Sequence, residues 1–365
     1  MKIVLTKRTP FSKPDGISHF LFSLANELIA RGHEVVGVTT KDPDKDRIAE
    51  RFSYPHLPRI TTLTEAAGKG YLFEVQTWLE NGSREIASHR PDLIVVNGAV
   101  PCHYTAPSVT VAHDADGQSF PGVLWLWPRR VYKAVTYRRT DRLITTCSEL
   151  VPQVARDAFF PVDKIEVIPT CITPELYHPR PLQERKPYII HMGMQRYKNP
   201  LATIQAFLPF ADRATLSIVG KITSKVRRYV DSLPLHQKSK IELPGIVSSD
   251  ELKRLLEMAR VVSVPSRYDI PVASPTVLEA FAAHTPVVSS PCVSRDIFEH
   301  GVNGLLADQE SEYIRAFEVL LSDDAKWQVL SKGAANTVYR FSAASIADRY
   351  LTLFSDANSF ASKAV

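Results

Sequence analysis

The residues of this sequence that are best suited to chemistry are charged side chains that follow short apolar runs. Arg196 and Lys198 come directly after the run YIIHMG at 188–193 and are close enough in sequence to converge on one diphosphate. Arginines and lysines are also common on solvated surfaces, so both could have no ligand. Their position between an apolar run and a predicted helix favours phosphate binding by at least one of them.

A carboxylate stands near the start of the predicted helix VLEAFAAH. This residue, Glu279, is surrounded in sequence by the apolar residues Val277, Leu278, Ala280 and Phe281. A carboxylate at this place can simply complement the helix dipole. Because the helix is otherwise apolar, we expect the charge to face a polar ligand or solvent rather than the core. The two hydroxyl groups of a ribose would be a suitable ligand.

The N-terminal half contains two further candidates. Gly16 lies in the loop PDGISH before the first predicted helix, where backbone N–H groups can meet a phosphate, although a glycine there can equally serve a tight turn. His113, which Asp114 follows, ends the apolar run SVTVA. It could hydrogen-bond a sugar hydroxyl, transfer a proton near neutral pH, or be a structural histidine.

These candidates must be positioned by two successive series of alternating strands and helices. Continuous apolar runs are typical of parallel strands that are covered on both faces. The runs lie at 2–5, 34–40, 92–99, 107–114, 141–148 and 164–170, and then at 188–193, 215–221, 240–247, 260–266 and 285–291. The pattern predicts an α/β protein with two doubly wound, Rossmann-like parallel sheets that face each other, with ligands beyond the carboxyl ends of the strands.

The domain organisation follows from the same pattern. We predict an N-terminal Rossmann-like domain at 1–172 and a C-terminal Rossmann-like domain at 188–345. The segment 173–187 is rich in proline and charge and has no periodicity, so we interpret it as a linker. Residues 346–365 are expected to form a C-terminal helix that packs back on the N-terminal domain, followed by a short tail.

Composition excludes several classes of protein. A chain of 365 residues with 44% hydrophobic and 23% charged residues is typical of a globular protein of two domains. Its four cysteines are far apart in sequence, which favours buried or free thiols over a zinc site or a disulfide framework. No D-x-D pattern has the character of a metal site, and we expect neither a metal nor another cofactor. The short apolar run at the N-terminus and the lack of a membrane-spanning run predict a cytoplasmic protein.

One basic segment indicates a further partner. Residues 124–142 combine Trp125 and Trp127 with six cations, Arg129, Arg130, Lys133, Arg138, Arg139 and Arg142. Such a segment suits peripheral contact with an anionic membrane at its inner face, or a glycolipid. The alternative is a solvated basic helix whose tryptophans are part of the core. The net charge of +5 is modest, and no nucleic-acid-binding module is present, so nucleic acid is not an expected partner.

Taken in order, the motifs resemble those of the GT-B fold glycosyltransferases of family four (glycosyl transferases group 1), which are retaining enzymes that use nucleotide sugars. The resemblance covers nearly the whole chain, and the order and spacing of its parts are specific. The parts are GISHFLFSLANELIARGHEV, DRLITTCSEL, KIEVIPTCITPELYHP, LSIVGK, LPGIVSSDELKRLLEMARVVSVPS, VLEAFAAHTPVVSS and HGVNGLLAD.

The resemblance implies a hexosyltransferase that moves a sugar, with retention and without a metal, from a nucleotide-sugar donor to a hydroxyl of a glycan, glycolipid or small molecule. It implies that the N-terminal domain binds the acceptor and the C-terminal domain the nucleotide sugar. It also implies that Gly16 approaches the donor diphosphate, that His113 lies near the donor sugar and that Glu279 holds the ribose. Arg196 and Lys198 would neutralise the diphosphate during transfer. Asp269 and Ser274 are the remaining residues that we place in the donor site.

The chain departs from the family pattern at the donor pocket. The family usually has a glutamate eight positions before Glu279, where this chain has Pro271, and Asp269 is the candidate substitute. Met194 stands where the family often has an arginine. Two other classes of function therefore stay open: a sugar-nucleotide epimerase or phosphorylase on the same fold, and an inactive relative that binds a nucleotide sugar.

Overall fold

The computed structural model describes residues 1–13, 15–64, 71–113, 123–267 and 271–361, and for 71, 72, 123–129 and 355–361 it describes the backbone only. The chain forms two compact units. The first contains Met1–Cys171 together with Ala343–Val365, and the second contains Ile172–Ser342.

The first unit is built on a parallel sheet of seven strands in the order β3-β2-β1-β4-β5-β6-β7. The strands are β1 (Lys2–Lys7), β2 (Glu34–Thr39), β3 (Arg59–Thr62), β4 (Leu93–Asn97), β5 (Ser108–Ala112), β6 (Arg142–Thr145) and β7 (Ile165–Val167). Its helices are α1 (Gly16–Ala30), α2 (Ile48–Arg51), α3 (Tyr71–Thr77), α4 (Ser83–Ser88), α5 (Val123–Tyr137), α6 (Val151–Ala158) and the final helix of the chain, and a π-helical turn, Trp78–Gly82, joins α3 to α4. The central strands are buried along their length, as apolar runs between two helical layers should be.

Helix α1 has clear start and stop signals. The Asp15 side chain accepts a hydrogen bond from the backbone N–H of Ser18 at the N-terminus, and Gly32 has φ +84° just beyond the C-terminus. The final helix of the chain, Ala343–Ala361, belongs to this unit. Its buried residues Ile346 and Tyr350 share a core with α1, so this helix covers one face of the first sheet. It begins three residues before the position that we predicted.

The second unit is built on a parallel sheet of six strands in the order β10-β9-β8-β11-β12-β13. The strands are β8 (Tyr188–Met192), β9 (Thr215–Val219), β10 (Ile241–Gly245), β11 (Val261–Val264), β12 (Val287–Ser289) and β13 (Gly304–Leu306). The helices are α7 (Pro200–Phe207), α8 (Ser224–Asp231), α9 (Leu235–Lys238), α10 (Ser249–Met258), α11 (Pro275–Ala282), α12 (Glu310–Ser322) and α13 (Asp324–Val338), and the final helix Ala343–Ala361 is α14. The predicted α/β class with two doubly wound parallel sheets is confirmed.

The segment 173–187 differs from our prediction of a linker, because it belongs to the second unit. Arg185 anchors it there. This side chain is only 5% exposed, and its guanidinium donates hydrogen bonds to the carbonyl oxygens of Ala259 at 2.8 Å and Ala283 at 2.7 Å and to the Thr285 hydroxyl at 2.7 Å. Burial lowers the pKa of Arg185 to about 10, which leaves it charged at neutral pH. The prolines and charges of this segment thus belong to a packed edge rather than to a free connection.

We expect Arg185→Leu to lower the free energy of unfolding by about 2–4 kcal/mol, because several buried acceptors would lose their donor at once. The change should be read from urea unfolding followed by tryptophan fluorescence, since the guanidinium lies 4.9 Å from the centre of the Trp327 ring. Arg180→Leu is the matched control. The Arg180 side chain is 45% exposed and pairs weakly with Glu184 at 3.9 Å, so its loss should change stability by about 0.5 kcal/mol or less. Equal midpoints for the two variants would contradict the anchoring role.

The four cysteines are free thiols, as predicted. Cys102, Cys147 and Cys171 are buried, and Cys292 is half-buried. Burial raises the pKa of the Cys102 thiol to about 12 and also raises the pKa of Cys171. These two side chains are therefore neutral apolar residues of the core at physiological pH.

Candidate functional site

The second sheet brings the loops after β8 and β11 together. The chain runs outward from β8 through β9 to β10 on one side and from β11 through β12 to β13 on the other, so the strand order reverses between β8 and β11. Open parallel sheets bind ligands beyond the carboxyl ends of their strands at such a point. The N–H of Arg267, after β11, donates to the carbonyl oxygen of Tyr197, after β8, at 2.7 Å.

The loop after β8 carries the two predicted cations. It begins at Gly193, whose φ of +94° lies in the left-handed region. A Cβ at this position would lie 2.8 Å from Oε1 of Gln195 and 3.3 Å from Cγ of Lys198, so a larger residue would displace the loop. A single 3-10 turn, Arg196–Lys198, follows. Arg196 is exposed, whereas Lys198 is half-buried and its Nζ donates to Oγ1 of Thr276 at 3.3 Å.

Helix α11 brings the predicted carboxylate to the same place. Ser274 is its N-cap residue, Pro275 occupies the first turn, and Thr276 receives Lys198. Glu279 is buried, with 8% of its surface exposed, so its charge is not on the open surface and a polar ligand remains its predicted partner. Among the residues that the structure describes, no group donates a hydrogen bond to its carboxylate. The Lys198 ammonium is the electrostatic partner of this carboxylate.

Burial and mutual attraction compete in this pair. Burial raises the pKa of Glu279 to about 7, and the nearby Lys198 ammonium opposes the rise. Burial also lowers the pKa of Lys198 to about 8, and Glu279 opposes that fall. Each side chain therefore favours the charged form of the other. A buried carboxylate without hydrogen-bond donors is costly, and hydroxyl groups of a bound ligand would supply the missing donors.

The sequence analysis missed three polar residues of this region. Thr276 holds Lys198, and His191 lies in β8 just before Gly193. Ser266 lies two residues after the end of β11, and its buried hydroxyl has no hydrogen-bond partner in the described part of the chain. The only signal for Ser266 was its place at the end of an apolar strand. A hydroxyl in this state is suited to a ligand atom.

In the first unit the strand order reverses between β1 and β4, and His113 lies at the corresponding edge, after β5. Its Nε2 lies 3.0 Å from Oδ1 of Asn97, which ends β4, and Nδ2 of Asn97 donates to the carbonyl oxygen of Thr6 at 3.1 Å. Because that amide oxygen is an acceptor, the Nε2 atom of His113 carries the hydrogen. The His113 ring also contacts Phe20 of α1 edge-on, with 5.7 Å between the ring centres.

Gly16 is the first residue of α1, and a buried lysine holds the loop before it. Lys7 is 2% exposed, and its ammonium donates to Oδ1 of Asp15 at 3.0 Å, to the Pro10 carbonyl oxygen at 2.9 Å and to the Ser18 hydroxyl. Burial lowers the pKa of Lys7 despite the attraction of Asp15. Burial favours a higher pKa for Asp15, but Lys7 and the Ser18 N–H outweigh it, so the pKa of Asp15 lies below its usual value. The sequence contained no signal for this ion pair.

The structure therefore groups the predicted site residues within each unit. Arg196, Lys198, Ser274 and Glu279 lie on the loop after β8 and on α11 of the second unit, while Gly16 and His113 lie on α1 and after β5 of the first. Asp269 and Asp114 lie outside the described residues. In the described part of the chain, no three His, Cys, Asp or Glu side chains form a group that could hold a metal ion. No described helix has both the length and the apolar character to cross a bilayer.

Comparison with protein families gives two matches that together span most of the chain. The model described as Glycosyltransferase Family 4 matches residues 14–176, and the model described as Glycosyl transferases group 1 matches residues 186–323. An uncharacterized glycosyltransferase of Methanocaldococcus jannaschii is 30% identical over 181 residues, which is 45% of this chain and 46% of that protein. The match therefore spans less than half the length of that relative.

Two solved structures show the same fold over almost the whole chain. The sucrose-phosphate synthase of Thermosynechococcus elongatus has a TM-score of 0.76 at 18% identity, with 98% of this chain and 99% of that chain covered. Anabaena HepE, solved in complex with UDP and glucose, has a TM-score of 0.75 at 18% identity, with 98% of this chain and 100% of that chain covered. These likenesses show the GT-B fold. With the two family matches, they establish that the chain belongs to the group 1 glycosyltransferases.

Proposed function

We propose that the protein is a retaining hexosyltransferase that moves a sugar from a nucleotide-sugar donor to an acceptor hydroxyl and needs no metal. The observation that carries this proposal is the buried Glu279 carboxylate beside Lys198 at the carboxyl edge of the second sheet. Hydroxyl groups of a donor ribose would satisfy the carboxylate. The diphosphate of the same donor would satisfy the neighbouring cations.

The roles of the side chains follow from their charges. Arg196 and Lys198 would stabilise the negative charge that develops on the departing diphosphate, and preorganised cations of this kind contribute several kcal/mol, about 3 or more, to a transition state. The backbone N–H groups at Gly16 would add to this stabilisation, and His113 would hydrogen-bond the donor sugar through a ring nitrogen. Ser274 and Asp269 complete the proposed donor site. The acceptor hydroxyl would attack the face from which the nucleotide leaves, so the anomeric configuration is retained.

The known complexes of a structural neighbour support the class of donor. Anabaena HepE has been solved with UDP and with UDP-glucose, and its fold matches this chain over 98% of its length. The identity is 18%, and Pro271 replaces the first glutamate of the family's paired acids, so the donor sugar of this protein has to be measured. A glycan, a glycolipid or a small molecule would supply the acceptor hydroxyl.

A panel of UDP-, GDP- and ADP-hexoses, offered with EDTA and without added metal, tests the proposal. We expect one nucleotide class to raise the melting temperature and to release its sugar slowly as the anomer present in the donor. Formation of an epimer or a sugar phosphate would instead establish one of the two alternative activities. Binding of a nucleotide without turnover of any donor would show that the chain is an inactive relative, and no response to any nucleotide would contradict donor binding altogether.

The structure changes the expected contact with a membrane. Arg130 lies 3.1 Å from the carboxylate of buried Asp157, and Lys133 is only 9% exposed. Residues 124–129, which include Trp125 and Trp127, lie in the part of α5 for which the backbone alone is described. Two of the cations that we expected to face a membrane are therefore engaged within the unit.

We propose instead that an α5 surface, formed by Val131, Val135, Arg138, Arg139 and Phe159, contacts anionic lipid at the cytoplasmic side of a membrane. Val131 is 45% exposed and Val135 is 52% exposed, and both lie on α5. Arg138 and Arg139 are exposed in the turn that directly follows this helix. Arg138 donates to the Phe159 carbonyl oxygen at 2.7 Å, which places the 47% exposed Phe159 beside them. Apolar side chains flanked by cations suit the boundary between headgroups and acyl chains.

Arg138→Gln with Arg139→Gln should weaken binding to vesicles that contain anionic lipid by about 30-fold at low salt, because each of the two cations near such a surface contributes about 1 kcal/mol. The loss should shrink as salt is added. Co-sedimentation with anionic and neutral vesicles measures the effect. The control is Arg227→Gln with Arg228→Gln, which removes the same charge from exposed positions of α8. Equal binding by the two double variants would rule out the α5 surface.

A further inference from the structure

His191 lies under the loop that carries the two predicted cations, and the proposed function leaves it without a role. It belongs to β8, a central strand of the second sheet, and is 1% exposed. Its partner in the register of the neighbouring strand β11 is Ser263. A fully buried histidine must be neutral or paired, so its hydrogen bonds should indicate what it does.

The hydrogen bonds of His191 form a chain with one direction. The Nε2 atom lies 2.9 Å from the carbonyl oxygen of Gly193, and because a carbonyl can only accept, Nε2 carries the hydrogen. The Nδ1 atom must then accept from the Thr203 hydroxyl, at 3.0 Å. The Thr203 oxygen in turn accepts from the Ser263 hydroxyl, at 2.8 Å. The hydrogen bonds therefore run in one direction: Ser263 donates to Thr203, Thr203 to His191, and His191 to Gly193.

The electrostatics keep this arrangement in one protonation state. Burial lowers the pKa of His191 to about 3, the bond to Gly193 opposes the fall, and the Lys198 ammonium adds to it. The imidazole is thus neutral throughout the physiological pH range. A neutral ring with a defined tautomer is a fixed donor rather than a proton carrier.

The last acceptor in this series of hydrogen bonds is Gly193, the first residue of the loop that carries Arg196 and Lys198. Gly193 has φ +94°, its N–H donates to the Val219 carbonyl oxygen at 2.8 Å, and its carbonyl accepts from His191. With both sides of the residue hydrogen-bonded, the chain leaves β8 in one direction. Lys198, five residues later, then reaches Thr276 of α11.

We propose that His191 is a positioning residue for sugar transfer: its Nε2–H group, with Nδ1 held by the Thr203 and Ser263 hydroxyls, holds the Gly193 carbonyl and thereby aims Lys198 at the donor diphosphate. The role in transfer rests on the proposed function, whereas the ordering of the loop does not. A shift of about 1 Å in a catalytic group can lower the rate roughly a hundredfold, so a displaced loop should lower the rate of sugar transfer by a similar factor.

Two substitutions of similar polarity separate this role from simple core packing. In His191→Gln the side-chain amide nitrogen can take the place of Nε2 and donate to Gly193, whereas in His191→Asn the shorter amide reaches only toward Thr203. We expect the asparagine variant to lower kcat by about 10- to 100-fold with a smaller change in the donor KM, and the glutamine variant to stay within about threefold of the wild type. In Thr203→Val the Nδ1 atom of His191 loses its hydrogen-bond donor, so the ring is held less firmly, and an intermediate loss is expected. Melting temperatures of all three variants would show whether the losses simply follow stability.

Hydrogen–deuterium exchange of residues 193–199 in the unliganded protein provides a readout that does not depend on catalysis. The N–H groups of Lys198 and Asn199 are hydrogen-bonded within this loop, at 2.9 and 3.2 Å, and we expect them to exchange at least about tenfold faster in His191→Asn than in His191→Gln. Equal exchange in the two variants would overturn the positioning role, whatever the activity. If His191→Asn exchanges faster but the wild-type protein transfers no sugar, the ordering of the loop by His191 is supported and only the proposed function is contradicted.

Discussion

Glu279→Gln is expected to lower kcat/KM for the donor by about 10- to 1000-fold. The carboxylate is buried and accepts no hydrogen bond from the described residues, so donor hydroxyls would be its partners. An amide keeps the size of the side chain but loses the charge, and hydrogen bonds to a charged acceptor are about twice as strong as neutral ones. The loss should appear mainly in donor affinity, because the ribose is bound in both the ground state and the transition state.

The same substitution is expected to stabilise the folded protein above pH 7. Burial raises the folded-state pKa of Glu279 from 4.5 to about 7, so the folded protein holds this proton more tightly than the unfolded chain does. The wild type therefore has its full stability below about pH 4.5 and loses part of it as the pH rises through about 7. Glutamine avoids this loss, and we expect a gain on the order of 1–2 kcal/mol at pH 8, since Lys198 loses a favourable partner at the same time.

Donor kinetics and thermal melting at pH 4.5 and pH 8 test both effects in one variant. Glu310→Gln is a suitable control, because Glu310 lies exposed in the first turn of α12 in the same unit and should alter neither quantity by much. Wild-type donor kinetics in a folded Glu279→Gln protein would refute the ribose assignment. A melting temperature below that of the wild type at pH 8 would instead show that the carboxylate is satisfied inside the protein.

The substitution Lys198→Met is expected to lower kcat by about 100- to 1000-fold. It removes a preorganised cation from the place where charge develops on the leaving diphosphate. The wild-type enzyme should also lose activity as the pH rises above about 8, because burial lowers the pKa of Lys198 to about that value and the neutral amine cannot neutralise a phosphate. Because the ionised Glu279 carboxylate is the proposed acceptor for the ribose hydroxyls, kcat/KM for the donor should rise through about pH 7 on the acid side.

The substitution Lys198→Arg separates the effect of the positive charge on activity from the effect of the side-chain geometry. Its guanidinium stays charged above pH 8, so Lys198→Arg should keep its activity on the alkaline side even if its rate at pH 7.5 is lower. The profile of kcat against pH between 6 and 10 measures this, with Lys225→Met of α8 as an exposed lysine control. An unchanged alkaline limb in Lys198→Arg would show that another group controls it.

Much of the fold was predictable because the sequences of buried parallel strands are continuous apolar runs. The strands that were missed are both at sheet edges: β3 reads RITT and is half-buried, and β13 has only three residues. Edge strands bury less surface, so their sequences carry a weaker apolar signal. The segment 173–187 was predicted to be a linker for a different reason. Its composition resembles a loop, and the contacts of Arg185 with residues 71 to 100 positions later are invisible in the local pattern.

The sequence by itself determined which side chains follow strand ends, and therefore that Arg196, Lys198 and Glu279 belong to one edge of a parallel sheet. Only the tertiary structure decided the ionisation and the hydrogen-bond partners of the side chains at this edge. Exclusion of water from Glu279 sets its pKa, the reach of Lys198 to Thr276 joins a loop to α11, and the acceptor on Gly193 selects the tautomer of His191. Each of these properties depends on groups that are distant in the chain and adjacent in space. Local pattern reports periodicity and polarity, whereas solvation and hydrogen-bond direction arise only when the elements pack.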